Sequence, residues 1–132
     1  MAYITNIEKT TKENTDYRRV LYTARNSQLV LMSLKPGEEI GNEVHELDQF
    51  IRIEEGSCKA ILGNGEEEHE LKEDFAIIVP AGTWHNIVNT GDRPLKLYTL
   101  YSPPEHKDGT LQPAKADEKE EHFDGVTTDQ RE

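Results

Sequence analysis

The stretch Pro80-Ala81-Gly82-Thr83-Trp84-His85-Asn86-Ile87-Val88-Asn89 decides the fold when it is read beside residues 37–56, GEEIGNEVHELDQFIRIEEG. Pro80 and Gly82 force a turn, and His85 opens a new strand carrying Ile87 and Val88. In the earlier stretch Glu43 and His45 stand two residues apart, so on an extended strand both side chains share a face, and Gln49 keeps the same parity. Glu43, His45, Gln49 and His85 are therefore candidate ligands of one metal ion, with the fourth donor delivered from a distant strand.

Around these stretches the chain alternates short apolar runs with turn signals every eight to twelve residues, which predicts an all-β sandwich or small barrel. Strand-like runs cover 28–34, 50–53, 59–62, 66–71, 75–79, 84–88 and 95–101, with 75–79 read as buried and helical periodicity largely absent. Glu54-Glu55-Gly56-Ser57 reads as a hairpin connection and Gly63-Asn64-Gly65 as a further turn. The flank 1–23, with Tyr17, Val20, Leu21 and Tyr22, is apolar enough to add an N-terminal strand. From Pro103 onward Glu, Asp and Lys dominate, a composition that by itself predicts disorder, with a short helix expected over 114–123. The expected division is a barrel domain with its N-terminal strand over 1–102 and an acidic C-terminal extension over 103–132.

The two stretches resemble the motifs of the cupin superfamily, G-x5-H-x-H-x3,4-E-x6-G and G-x5-P-x-G-x2-H-x3-N. In the first, Gly37, His45 and Gly56 match, while Glu43 stands at a His position and Gln49 at the Glu position. In the second, Pro80, Gly82, His85 and Asn89 match, and Asp74 replaces the leading Gly. The resemblance covers about residues 28–101 and implies a jelly-roll β-barrel, the double-stranded β-helix, with a divalent metal inside. It also implies an N-terminal strand that crosses to a partner subunit, hence a homodimer. Gln28-Leu29-Val30, Asp48-Gln49-Phe50 and the exit Tyr101-Ser102-Pro103-Pro104 are similar to a group of small cupins often labelled mannose-6-phosphate isomerase-like. The phosphomannose isomerases of that type hold zinc with a Gln, a Glu and two His. This chain is too short for their extra helical domain and lacks the Lys or Arg cluster that clamps a sugar phosphate.

The exchange of Glu43 and Gln49 leaves the formal charge of the common three-His, one-Glu set unchanged and makes the site richer in oxygen. Such a set suits Mn, Fe, Co, Ni or Zn, with positions left for water or substrate. The expected function is that of a metal-dependent enzyme acting on a small oxygenated substrate, sugar-like or a hydroxy-carbonyl or carboxylate compound, by Lewis-acid assisted isomerisation or lyase chemistry. Two alternatives stand beside it, an Fe-dependent dioxygenase and a non-catalytic module that binds a small ligand or metal. No separate base is identified. Tyr101 shares the inward parity of Leu95 and Leu97, and His106 follows Pro103-Pro104, from where it could fold over the barrel mouth; both are weak catalytic candidates. His69, His106 and His122 lie among charges and read as solvated, Trp84 as packed away from the metal, Arg52 as pointing away from Gln49, and Cys58 as a small core residue.

With 132 residues the chain has the size of one domain, and its net charge of -11 argues against nucleic acid and anionic membranes as partners. Apolar runs are far too short to span a membrane, and the polar start has no signal-peptide layout. A single cysteine excludes an intramolecular disulfide, and the expected setting is cytoplasmic.

Overall fold

The structure, a computed structural model, describes residues 2–131. Strands β1 (Arg18–Thr23), β2 (Gln28–Leu34), β3 (Asp48–Glu55), β4 (Ser57–Leu62), β5 (Glu67–Lys72), β6 (Ala76–Val79), β7 (His85–Asn89), β8 (Leu95–Ser102) and β9 (Leu111–Gln112) form two sheets. The larger has the order β6-β3-β8-β2-β1-β9 and the smaller the order β5-β4-β7. Every pairing between these strands is antiparallel, so the all-β expectation holds. Short helices flank the sheets, α1 (Ile7–Glu13) before β1 and α2 (Thr128–Arg131) near the C-terminus. Among the described residues no helix is long and apolar enough to cross a membrane.

Alternation builds the core. Along β8, Leu95, Leu97, Thr99 and Tyr101 all face inward and are buried, and Ile51 and Ile53 of β3 and Val30, Met32 and Leu34 of β2 meet them. Ala60 and Cys58 of β4 and Ile87 of β7 close the core from the smaller sheet. Each large aliphatic side chain removed from water contributes about 1.5–3 kcal/mol, so these residues supply the main force holding the two sheets together.

Several expectations need correction. Residues 54–57 do not close a hairpin: β3 and β4 belong to different sheets, and Gly56, at φ +93°, turns the chain at the corner between them. Residues 75–79 are not a buried strand. β6 is an edge of the larger sheet, with Phe75 and Ile78 exposed and Val79 buried, since a four-residue edge strand has only one covered face. Residues 7–13 form a helix that the β periodicity gave no reason to expect, started by the Asn6 side chain accepting from the Lys9 N–H.

The acidic segment after Ser102 is ordered against the barrel. Composition misleads there because its few partners are well placed: β9 pairs with β1, the Glu118 carboxylate accepts from Arg18 at 2.9 Å, and the Thr128 hydroxyl accepts from the Thr23 N–H at 2.8 Å. Within 114–123 the helical expectation reduces to one 3-10 turn, Lys115–Asp117. β1 pairs with β2 and β9 of its own chain.

Candidate metal centre

The centre lies where the smaller sheet extends beyond β7. Glu43 and His85 form a reciprocal bridge, each N–H donating to the other's carbonyl at 2.9 Å, and farther along Glu39 stands opposite Val88, held there by the Ile40 N–H donating to the Ile87 carbonyl at 3.0 Å and the Asn89 N–H to the Glu38 carbonyl at 2.9 Å. Glu43 therefore sits directly across from His85 and not on a strand shared with His45 and Gln49, because β3 begins only at Asp48. His45 occupies the connection between. Its carbonyl accepts from the Gly82 N–H at 2.8 Å, and the positive φ of Gly82 makes the tight β6–β7 turn that brings the two motifs together.

One donor atom from each of Glu43, His45 and His85 lies within 4.8 Å of the others. Glu43 Oε1 is 3.3 Å from His45 Nε2 and 3.6 Å from His85 Nε2. The ring orientations follow from the opposite nitrogens. His85 Nδ1 lies 2.9 Å from the Thr83 carbonyl, which only accepts, so Nδ1 carries the proton and Nε2 keeps its lone pair. His45 Nδ1 lies 2.7 Å from Glu105 Oε2, with the same result. Both Nε2 atoms are buried without a hydrogen-bond partner, and so is Oε1 of Gln49, whose amide nitrogen donates to Thr99 Oγ1 at 3.0 Å. Gln49 is only 2% exposed, so no bulk water compensates its oxygen.

Lone pairs of two neutral imidazoles facing a carboxylate repel one another unless a cation or a proton lies between them. This donor set fits a divalent metal, with Glu43, His45 and His85 able to hold it and Gln49 Oε1 the orphan oxygen that matches them in type. Without metal the chain supplies a proton instead. Burial alone would lower the His45 pKa, but hydrogen bonds and charge from Glu105 and Glu43 outweigh it and hold the imidazolium up to about 9. Burial alone would raise Glu43, and the two histidines pull it down to about 2.

A cleft of about 440 Å³ opens beside the group, lined by Arg18, Glu43, His45, Glu105, His106 and Glu118 among others. A second cleft of about 600 Å³ runs along residues 107–121 and touches none of the three donors. Tyr101 is buried, its ring 5.9 Å from that of His45 and edge-on to that of His106 at 5.1 Å. His106 is thus folded back over the barrel mouth and not solvated; burial, aided by Arg18, pushes its pKa down to about 3, and its Nε2 has no hydrogen-bond partner. His69 and His122 are exposed, and so is Trp84, expected to pack away from the metal but found half in solvent. Arg52 pairs with Asp74 and Glu54, away from the site. Asp74 itself adopts φ +71°, which explains why a glycine suits that motif position and why Asp, tolerant of that region, replaces it. Sequence reasoning missed Glu105, because it lies beyond both motifs and no spacing rule reaches it.

The cupin domain family matches residues 30–101 of this chain. The protein YrkC of Bacillus subtilis is 46% identical over 120 residues, covering 87% of this chain, which spans 64% of that protein's length. Protein L612 of Acanthamoeba polyphaga mimivirus is 48% identical over 113 residues, covering 83% of this chain and 71% of L612. The crystal structure of BH2720 from Bacillus halodurans superposes with a TM-score of 0.87 at 48% identity, covering 89% of this chain and 92% of that one. KdgF from Halomonas shares the fold alone, at a TM-score of 0.60 and 23% identity over 69% of this chain and 79% of its own. With both motifs, the double-stranded β-helix and these relatives in agreement, the chain belongs to the cupin family.

Proposed function

We propose that the protein is a metal-dependent enzyme whose Glu43, His45 and His85, with Gln49 as fourth donor, hold a divalent ion at which a small, uncharged hydroxy-carbonyl compound is isomerised or cleaved. The carrying observation is the convergence of two buried, unpartnered imidazole nitrogens on one carboxylate. When bound, the ion supplies Lewis acidity toward a carbonyl or hydroxyl oxygen. Residues of the chain do the rest. The acidic rim of Glu43, Glu105, Glu118, Glu120 and Glu121 outnumbers Arg18 and Lys119, which disfavours a sugar phosphate or a carboxylate and favours a neutral ligand. Arg18 is also already engaged by Glu118 and Gln112. His106, kept neutral by burial in the same cleft and with its Nε2 unpartnered, offers a ligand there a hydrogen-bonding imidazole and not a base, because burial lowers its proton affinity. Tyr101 packs against both the His45 and the His106 ring, each at a near-perpendicular angle.

Elemental analysis of the purified protein, followed by proton–deuterium exchange on a panel of hydroxy-carbonyl compounds, tests this reading. Glu43→Ala and His85→Ala are expected to strip the ion, and a variant that keeps its full metal content refutes the assignment. A loaded protein that binds panel compounds without exchanging any proton is a binding module instead. Iron-dependent oxygenation is a second reading, favoured by the two-histidine, one-carboxylate set, and oxygen consumption by the iron-loaded protein separates it. A cytoplasmic homodimer belongs to the same proposal; exposed Phe75 and Ile78 on the β6 edge support the dimer, and light scattering checks it.

A further inference from the structure

We propose that Glu105, carried on the segment after the last barrel strand, is a positioning residue of the metal centre: it fixes the His45 ring so that Nε2 faces Glu43 and His85, and His122 holds Glu105 in place. The inference rests on the metal-binding reading above.

The two histidines of the centre are tethered differently. His85 donates its Nδ1 proton to a backbone carbonyl within its own turn, at 2.9 Å. His45 donates to a carboxylate 60 positions away, at 2.7 Å, the length of a charge-assisted bond. A carboxylate on Nδ1 locks the tautomer and makes the opposite nitrogen a stronger donor. The side chains of Glu105 and His45 are each only 13% exposed, so water screens this bond weakly.

Glu105 is itself constrained at several points. Its second oxygen accepts from His122 Nδ1 at 2.9 Å. Its carbonyl accepts from the Phe123 N–H at 2.9 Å, and His106 and His122 form a β-bridge, so residues 105–107 and 121–123 make a short ribbon. The buried Gln28 amide grips the same segment, its oxygen accepting from the His106 N–H at 3.0 Å and its nitrogen donating to the His106 carbonyl at 2.7 Å. A simple latch between segment and barrel would need only the Gln28 contacts. The carboxylate aimed at a ring whose other nitrogen faces the donor group is what the latch leaves unexplained.

Zinc affinity measured against a competing chelator, for the full chain and for Glu105→Gln, Glu105→Ala and His122→Ala, tests the proposal. Glu105→Ala is expected to weaken zinc by about 10–100-fold. Glu105→Gln, which keeps an acceptor oxygen and loses the charge, falls between, and it decides the matter if the Ala variant does not fold. His122→Ala gives a smaller loss. In the metal-free chain, nitrogen-15 shifts of the neutral His45 ring should show Nδ1 protonated, and that preference should vanish in Glu105→Ala. Zinc affinity equal to that of the unmodified chain in a folded Glu105→Ala, or a neutral His45 ring that carries its proton on Nε2 and not on Nδ1 in the unmodified chain above pH 9, overturns the role of Glu105 and leaves the metal reading standing. An unmodified chain that takes up neither zinc nor any of Mn, Fe, Co and Ni overturns both.

Discussion

His45 and His106, whose rings both meet the edge or face of Tyr101, titrate with opposed electrostatics and make the metal-free protein sensitive to pH in two directions. His45, raised to about 9 from an ordinary 6.5, contributes stability that is complete below pH 6.5 and is lost as pH rises toward 9. His106, lowered from 6.5 to about 3, contributes stability that is complete above pH 6.5 and is lost as pH falls toward 3. Glu43 adds a further loss only below its ordinary 4.5. The metal-free protein should therefore be most stable near pH 6.5. Melting temperatures across pH should show His45→Gln flattening the alkaline limb and His106→Asn flattening the acid limb; unchanged limbs contradict the assignment. His85, tethered only to a carbonyl, was readable from the sequence because the turn before it is written in Pro80 and Gly82. Glu105 was not, because a contact 60 positions apart depends on how the whole segment folds. Cys58 is simpler: burial pushes its thiol up to about 11, so a thiol reagent at neutral pH should label it only when denaturant is added.

Among the strands, position in the sheet governs how much each side chain matters. Ile53 of β3 is fully buried between β8 and the opposite sheet, and Ile53→Ala should cost about 2–5 kcal/mol in urea unfolding. Ile78 of the edge strand β6 is 69% exposed, and Ile78→Ala should change stability by less than about 0.5 kcal/mol. Both carry the same apolar side chain in an apolar run, which is why periodicity located β6 and misjudged its burial: alternation registers which faces differ, not whether a second sheet covers them. The corner at Gly56 was misread for a related reason. A glycine between two strand-like runs signals a turn whether the strands pair or part company. A Cβ at Gly56 would lie 3.1 Å from the Pro94 carbonyl oxygen, a backbone atom with little freedom, and the positive φ adds strain. Gly56→Ala should destabilise by about 1–3 kcal/mol, read by the same unfolding experiment.

For the molecule as a unit, the acidic extension matters as much as the barrel it leans on. Low hydrophobicity suggests an unfolded tail, yet Arg18, buried in β1, is neutralised by Glu118 and donates to the Gln112 amide oxygen of that tail, and the Lys115 ammonium donates to the Glu39 and Ile40 carbonyls beside the site. Removal of residues 103–132 leaves the Arg18 charge without its carboxylate and should lower the melting temperature markedly, as a thermal scan of the truncated chain would record. The motifs foretold the barrel and its centre because local spacing encodes them; the extension's order comes from a few long-range polar contacts that composition averages away. Near both ends of the chain, Tyr3 stacks on the Tyr22 ring at 5.1 Å and Asp129 accepts from the Tyr22 hydroxyl at 3.0 Å. A single phenol thus pins two stretches far apart in the sequence to one spot on β1, so Tyr22→Phe, which keeps the ring and drops the hydroxyl, should loosen the later stretch toward proteases while the earlier one stays stacked.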